Sequence, residues 1–194
     1  MSELSAAAEL LGMLFTDPRT AVLIALLVAA AVIDYRTLKI PNLITGGGIL
    51  FALVYCALYP PVRHIGWVWA PAGMLLGFVA LLPMYALRIM GAGDVKLMAM
   101  VGAFLGPGAT VDALLSSLLF AGVAALVVAA RQGATLRMLG NVRTILRGMF
   151  WSAIAAGPAG TAPAPIASVG KLAFGVSIAA GTISYLVADQ LGFV

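Results

Sequence analysis

Two aspartates pose the chemical question in this chain. Asp34 lies near the end of an apolar run that begins at Thr20, and Asp94 follows a glycine-rich Gly91-Ala92-Gly93 segment and opens another apolar run that reaches Leu105. An acid inside a membrane segment costs ~2.5 kcal/mol or more on insertion scales, and acids retained there are usually functional. Two carboxyls in one hydrated pocket can hydrolyse an amide. The ionised one takes a proton from water, and its protonated partner supplies a hydrogen bond or proton to the scissile carbonyl. Like charges a few Å apart do not both ionise cheaply, so such a pair shares a proton near neutral pH, and its pKa values belong to the pair. Cap and dipole effects favour the charge on Asp94, which leaves Asp34 as the proton holder. Each acid also has a plainer reading: Asp94 as a helix N-cap, and Asp34 as an ion partner for Arg36 or another basic neighbour. Two acids at similar depth on one side favour the joint reading.

The elements that must position them are membrane spans. Of 194 residues, 63% are hydrophobic and 9% charged, against roughly 45–50% and ~25% in soluble domains. That excludes a soluble globule and predicts one all-α, polytopic membrane domain over 1–194. The charge balance of +4 is explained by its distribution, without a nucleic-acid partner. Six apolar runs are bounded by charge, Pro or Gly: Thr20 to Leu38, Leu43 to Tyr59, Trp67 to Met90, Asp94 to Leu105, Ala113 to Ala130 and Leu172 to Ala188. The fourth is short, ~18 Å of helix for a ~30 Å core. It therefore predicts a submerged glycine-rich break and a wet cavity with Asp94 on its wall. The first run is expected to stay in the mature protein, since Glu3 stands where a secretory signal would carry a base.

Orientation follows from the basic residues. Arg36, Lys39, Arg88, Lys96, Arg131, Arg137, Arg143, Arg147 and Lys171 flank one side of these spans, whereas Arg19 and Arg63 flank the other. The richer side is expected to be cytoplasmic, with residues 1–19 outside. Asp34 and Asp94 are the only acids on the cytoplasmic side. Residues 131–170 are expected to be cytoplasmic, with an amphipathic interfacial helix from Leu136 to Phe150 and a flexible Pro- and Gly-containing connection from Ala153 to Gly170. That helix is read first as an anchor, with a lid beside the site as the alternative. Cys56 is the only cysteine, so no disulfide or cysteine-based metal site is expected, nor is any other metal site or cofactor. His64 reads as a loop residue. Met90, Met98 and Met100 read as packing, and Trp67, Trp69 and Trp151 as interfacial anchors.

The residues Asp34-Tyr35-Arg36, Lys39-Ile40-Pro41-Asn42 and Gly91-Ala92-Gly93-Asp94-Val95-Lys96-Leu97 resemble the GxGD-type prepilin peptidases, membrane aspartic proteases that remove the leader from type IV pilin precursors. The segment from Ala173 to Gly181 is similar to the last span of that family, with Ala173 where the family often has Pro. The resemblance implies Asp34 and Asp94 as the catalytic pair. It is similar to the short CpaA/TadV-like form, because the chain lacks the length and paired Cys-x-x-Cys motifs of a methyltransferase domain.

What the resemblance implies is cleavage of an Flp-type prepilin at the cytoplasmic face of the bacterial inner membrane. The partners would be the prepilin and membrane lipids; the sequence is silent on oligomeric state. Gly91 and Gly93 would let the backbone bend and an extended substrate approach. Lys96, Arg36, Pro41 and Asn42 are further candidates for shaping the site or binding substrate. The rivals are a small ion- or proton-coupled transporter using the same two aspartates, and a GxGD intramembrane protease acting on signal peptides.

Overall fold

A computed structural model describes residues 17–59, 66–87, 89–133, 140 and 173–193. The described chain is helical: α1 (Pro18–Thr37), α2 (Asn42–Leu58), a 3-10 turn (Gly66–Val68), α3 (Trp69–Ala86), α4 (Ala92–Arg131) and α5 (Phe174–Gln190). By length and composition, α1, α3 and α4 can each cross a membrane, and α2 is a shorter apolar helix. The expected all-α membrane architecture is therefore present. The segment from Leu136 to Phe150, the connection after it, His64 and Trp151 lie outside the described residues.

The chain divides into two compact units, 1–121 with 173–194, and 122–172. Both aspartates belong to the first. In the second, the described residues are the end of α4, the turn after it, where Gly133 has φ +62°, and Gly140.

Local rules account for the boundaries of α1. Asp17 accepts the Arg19 N–H at 2.9 Å, with Pro18 at the first helical position, where its missing N–H is no loss. At the other end Leu38 adopts a left-handed conformation, φ 52° and ψ 33°, and its N–H closes on the Asp34 carbonyl. This is a strained position for a side chain other than Gly or Asn. It ends the helix one turn past Asp34 and turns the chain into the Ile40-Pro41-Asn42 start of α2.

The fourth apolar run ends where expected, at Gly106, whose backbone is non-helical (φ 75°, ψ 176°); the helices on either side, 92–105 and 107–131, form the two arms of α4. No loop separates them, and Pro107 follows at the first position of the second arm, which it tolerates. The packing shows that the chain reverses there. Trp69, Gly73 and Gly77 of α3 lie against Gly106, Gly102 and Met98, so the first arm runs antiparallel to α3. Asn42, Gly48 and Phe51 of α2 meet Lys96, Met100 and Phe104, a parallel arrangement. The second arm places Ser117 against Ile178 and Gly181, and Asp112 near Tyr185. Since α5 starts beside Asp34, the stretch of the second arm from Asp112 to Ser117 runs back toward the aspartate end.

Small residues make this packing possible, as expected where helices associate by close backbone approach in lipid. The buried set also mixes apolar and polar side chains. Leu23, Leu27, Leu97, Met98, Met100, Val101 and Phe104 are enclosed together with Asp34, Thr45, Asp94, Ser117, Ser177 and Thr182, whereas Leu43, Leu50, Leu115 and Leu119 face outward. Met90, Met98 and Met100 are packing residues, as the sequence suggests.

Candidate active site

Asp34 and Asp94 come from elements 60 positions apart in sequence, and both are buried, at 5% and 8% exposure. Asp94 lies within electrostatic reach of Asp34. The contact network between them runs through Ile40. A Cβ placed on Gly93 would stand 3.1 Å from Cβ of Ile40, and one placed on Gly175 would stand 3.0 Å from Ile40 Cδ1 and 2.8 Å from Asp34 Oδ2. Ile40 therefore sits between the residue preceding Asp94 and the residue that holds Asp34.

Both carboxyls are tied to backbone at a helix start. Asp94 is not the N-cap that its type and position suggest. The helix begins two residues earlier, and Asp94 occupies its third position, where Oδ2 accepts the Gly91 N–H at 3.0 Å. This is the reach-back half of a capping box, and it leaves Ala92 and Gly93 helical instead of forming a broken segment. Asp34 is not paired with Arg36, which is exposed and makes no ion pair to it among the described residues. Its Oδ2 instead accepts the Gly175 N–H at 2.8 Å, and the Val176 N–H also faces it.

Ala173, at the N-cap position of α5, provides no side-chain cap. Asp34 takes that role from 141 residues away in sequence. Positive helix ends thus face both acids, and the dipole argument that would single out Asp94 as the charged partner no longer distinguishes them.

Of the remaining candidates, Lys96 and Asn42 meet: Nζ donates to Oδ1 at 2.9 Å, tying the start of α2 to the first turns of α4. Pro41 is the N-cap residue of α2 and offers its carbonyl to Ile44 and Thr45. Gly91 is exposed and Gly93 half-buried against Ile40. Arg36 sits in the last turn of α1, where a cation suits the helix dipole. An apolar groove of about 380 Å³ lies between α2, α3 and α4, lined among others by Thr45, Gly46, Ile49, Met74 and Phe78, with Asn42 and Lys96 at one end. Among the described residues no cluster of three or more His, Cys, Asp or Glu could hold a metal.

Sequence reasoning overlooked Ile40 and Gly175 as site residues. The signal for Gly175 was a helix start, Ala173-Phe174-Gly175, with no side chain able to cap it.

No curated protein and no solved structure matches the chain significantly. The type IV leader peptidase family does match, over residues 21–130, a stretch that contains Asp34, Asn42 and the Gly91-to-Lys96 segment. More than half of the chain is covered, with both buried aspartates inside the match, and the chain belongs to this family of membrane proteases.

Proposed function

We propose that the chain is an aspartic endopeptidase of the short, CpaA/TadV-like kind, which removes the leader of Flp-type prepilins at the cytoplasmic face of the bacterial inner membrane. The observation that carries this reading is the convergence of two buried carboxyls from separate helices, each anchored to backbone through one oxygen. Hydrolysis needs no further group. One carboxylate takes a proton from water as the water oxygen bonds to the scissile carbonyl carbon, and the other carboxyl gives its proton to the carbonyl oxygen. Collapse of the resulting diol breaks the C–N bond. The nitrogen leaves with the proton first taken from water, and the proton on the oxygen returns to the dyad.

The substrate's apolar helix would stay in the bilayer while its leader crosses the exposed Gly91-Ala92 backbone, which has little side chain to obstruct an extended peptide. Lys96, fixed by Asn42, would hold the two sides of that approach together. Pro41 sets the turn that carries Ile40, and Arg36 serves the membrane interface. The transporter reading draws on a helix broken at its ion site. Here the break in α4 is at Gly106, beside Trp69 and at the end away from the aspartates, which favours hydrolysis.

The test is to incubate the purified full chain in lipid with a prepilin and identify the products by mass spectrometry. A single cut ahead of the apolar helix is expected. Cuts within that helix would indicate a signal-peptide-directed protease, and an intact prepilin under all conditions would overturn the proposal.

A further inference from the structure

Asp34 is held from outside its own helix, by a residue of the Ala173-to-Gly181 segment that lies outside the 21–130 stretch matched by the type IV leader peptidase family. The Gly175 N–H donates to Asp34 Oδ2 at 2.8 Å. Gly175 is buried in the first turn of α5, so neither water nor a mobile loop replaces this donor easily. The absence of a side chain there has a specific consequence. A Cβ at this position would come within 2.8 Å of Asp34 Oδ2, 3.0 Å of its Cγ and 3.0 Å of Ile40 Cδ1. These are side-chain atoms that can yield, unlike the backbone that blocks Gly73 or Gly77. A methyl group at 175 would therefore displace the carboxyl and leave the helices in place.

We propose that Gly175 is a positioning residue for the reaction. Its N–H fixes the orientation of Asp34, and its missing Cβ leaves the space that the carboxyl occupies. Ile40 fills the gap between Gly175 and Gly93 and keeps the two carboxyl-bearing segments at a constant separation. This rests on the dyad reading above. Dyad chemistry requires the reacting oxygens to be held to within a fraction of an ångström, and a misplacement of about 1 Å can cost ~100-fold in rate.

The experiment compares steady-state cleavage of a prepilin by the full chain in lipid for the parent, Gly175→Ala, Gly175→Ala with Ile40→Val, Gly47→Ala and Asp34→Asn. Gly47 lies on α2 with nothing within 4 Å of a Cβ, and its variant is expected to match the parent. Gly175→Ala is expected to fold, to lose about 100-fold in kcat and to keep KM within about twofold. Ile40→Val removes only the Ile40 contact, so it is expected not to restore the rate.

Parent-like kcat in Gly175→Ala, a loss confined to KM, failure to fold, or recovery with Ile40→Val would each overturn the inference. Recovery would show that the loss came from packing against Ile40. Activity surviving in Asp34→Asn would instead overturn the dyad itself, which separates the two failures.

Discussion

Gly73 of α3 and Gly102 of α4 meet backbone to backbone, so that a Cβ on either would collide with the carbonyl oxygen of the other. Neither side has a flexible group to move aside, and four residues along, Gly77 meets the Met98 carbonyl in the same way at 2.5 Å from a would-be Cβ. This contact line sets how closely the arm that carries Asp94 packs on α3. Gly102→Ala is expected to lower stability by about 1–3 kcal/mol, the usual cost of overpacking, and to reduce cleavage by shifting Asp94. Thermal unfolding in detergent, measured alongside activity, checks this; a parent-like midpoint would contradict it.

Arg19 acts at the opposite end of the bundle. Its guanidinium lies 4.7 Å from the Trp69 ring centroid and donates to the Phe104 carbonyl, just before the break at Gly106. It therefore caps the first arm of α4 where the chain reverses. Arg19→Met is expected to cost about 1–2 kcal/mol, from one cation–π contact and one charge-assisted hydrogen bond. The kcat of the folded fraction should stay unchanged, because the aspartates are remote. A denaturation midpoint measured with an active-fraction assay distinguishes this from a catalytic role, which would lower kcat at full folding.

The hydrogen bond between Lys96 and Asn42 is exposed, so its energetic worth is small, of the order of 1 kcal/mol or less. Lys96→Met and Asn42→Ala should each weaken cleavage several-fold, and the double variant should be no worse than the poorer single one. A double-mutant cycle on kcat/KM measures this. Strict additivity would mean that the two act separately.

Much of the architecture was legible because apolar runs bounded by Pro, Gly and charge mark membrane helices directly. The Thr20 and Leu43 runs correspond to α1 and α2 within two residues. Other features depend on contacts distant in sequence. Gly106-Pro107-Gly108 reads as the end of a short span, and the helix breaks there; what the sequence does not show is that Trp69 packs onto Gly106 and Arg19 satisfies the Phe104 carbonyl at that reversal. Asp94 reads as a cap because Asp is a favoured capping residue and its charge suits the positive end of a helix, whereas the helix starts at Ala92 and uses Asp94 from inside. The partner of Asp34 was hidden for a similar reason. Arg36 is near in sequence but points outward, while Gly175 arrives from the last described helix.

Chain length at the two acids discriminates hydrolysis from ion transport. Asp34→Glu and Asp94→Glu add one methylene each and would push a carboxyl out of a geometry fixed by Gly175 and Gly91. Each is expected to lose about 100-fold or more in cleavage rate. An ion-binding role would tolerate Glu and preserve flux in vesicles, so parent-like function in both variants would argue for transport.

The most direct measurement concerns each acid by itself. Asp34→Asn and Asp94→Asn keep shape and remove the ability to exchange a proton, and each is purified in lipid and shown to match the parent's unfolding midpoint. Prepilin is then added and the released leader is quantified by mass spectrometry. Both variants are expected to leave the precursor full length while the parent processes it, and release of leader by either folded variant would contradict a shared two-carboxyl mechanism.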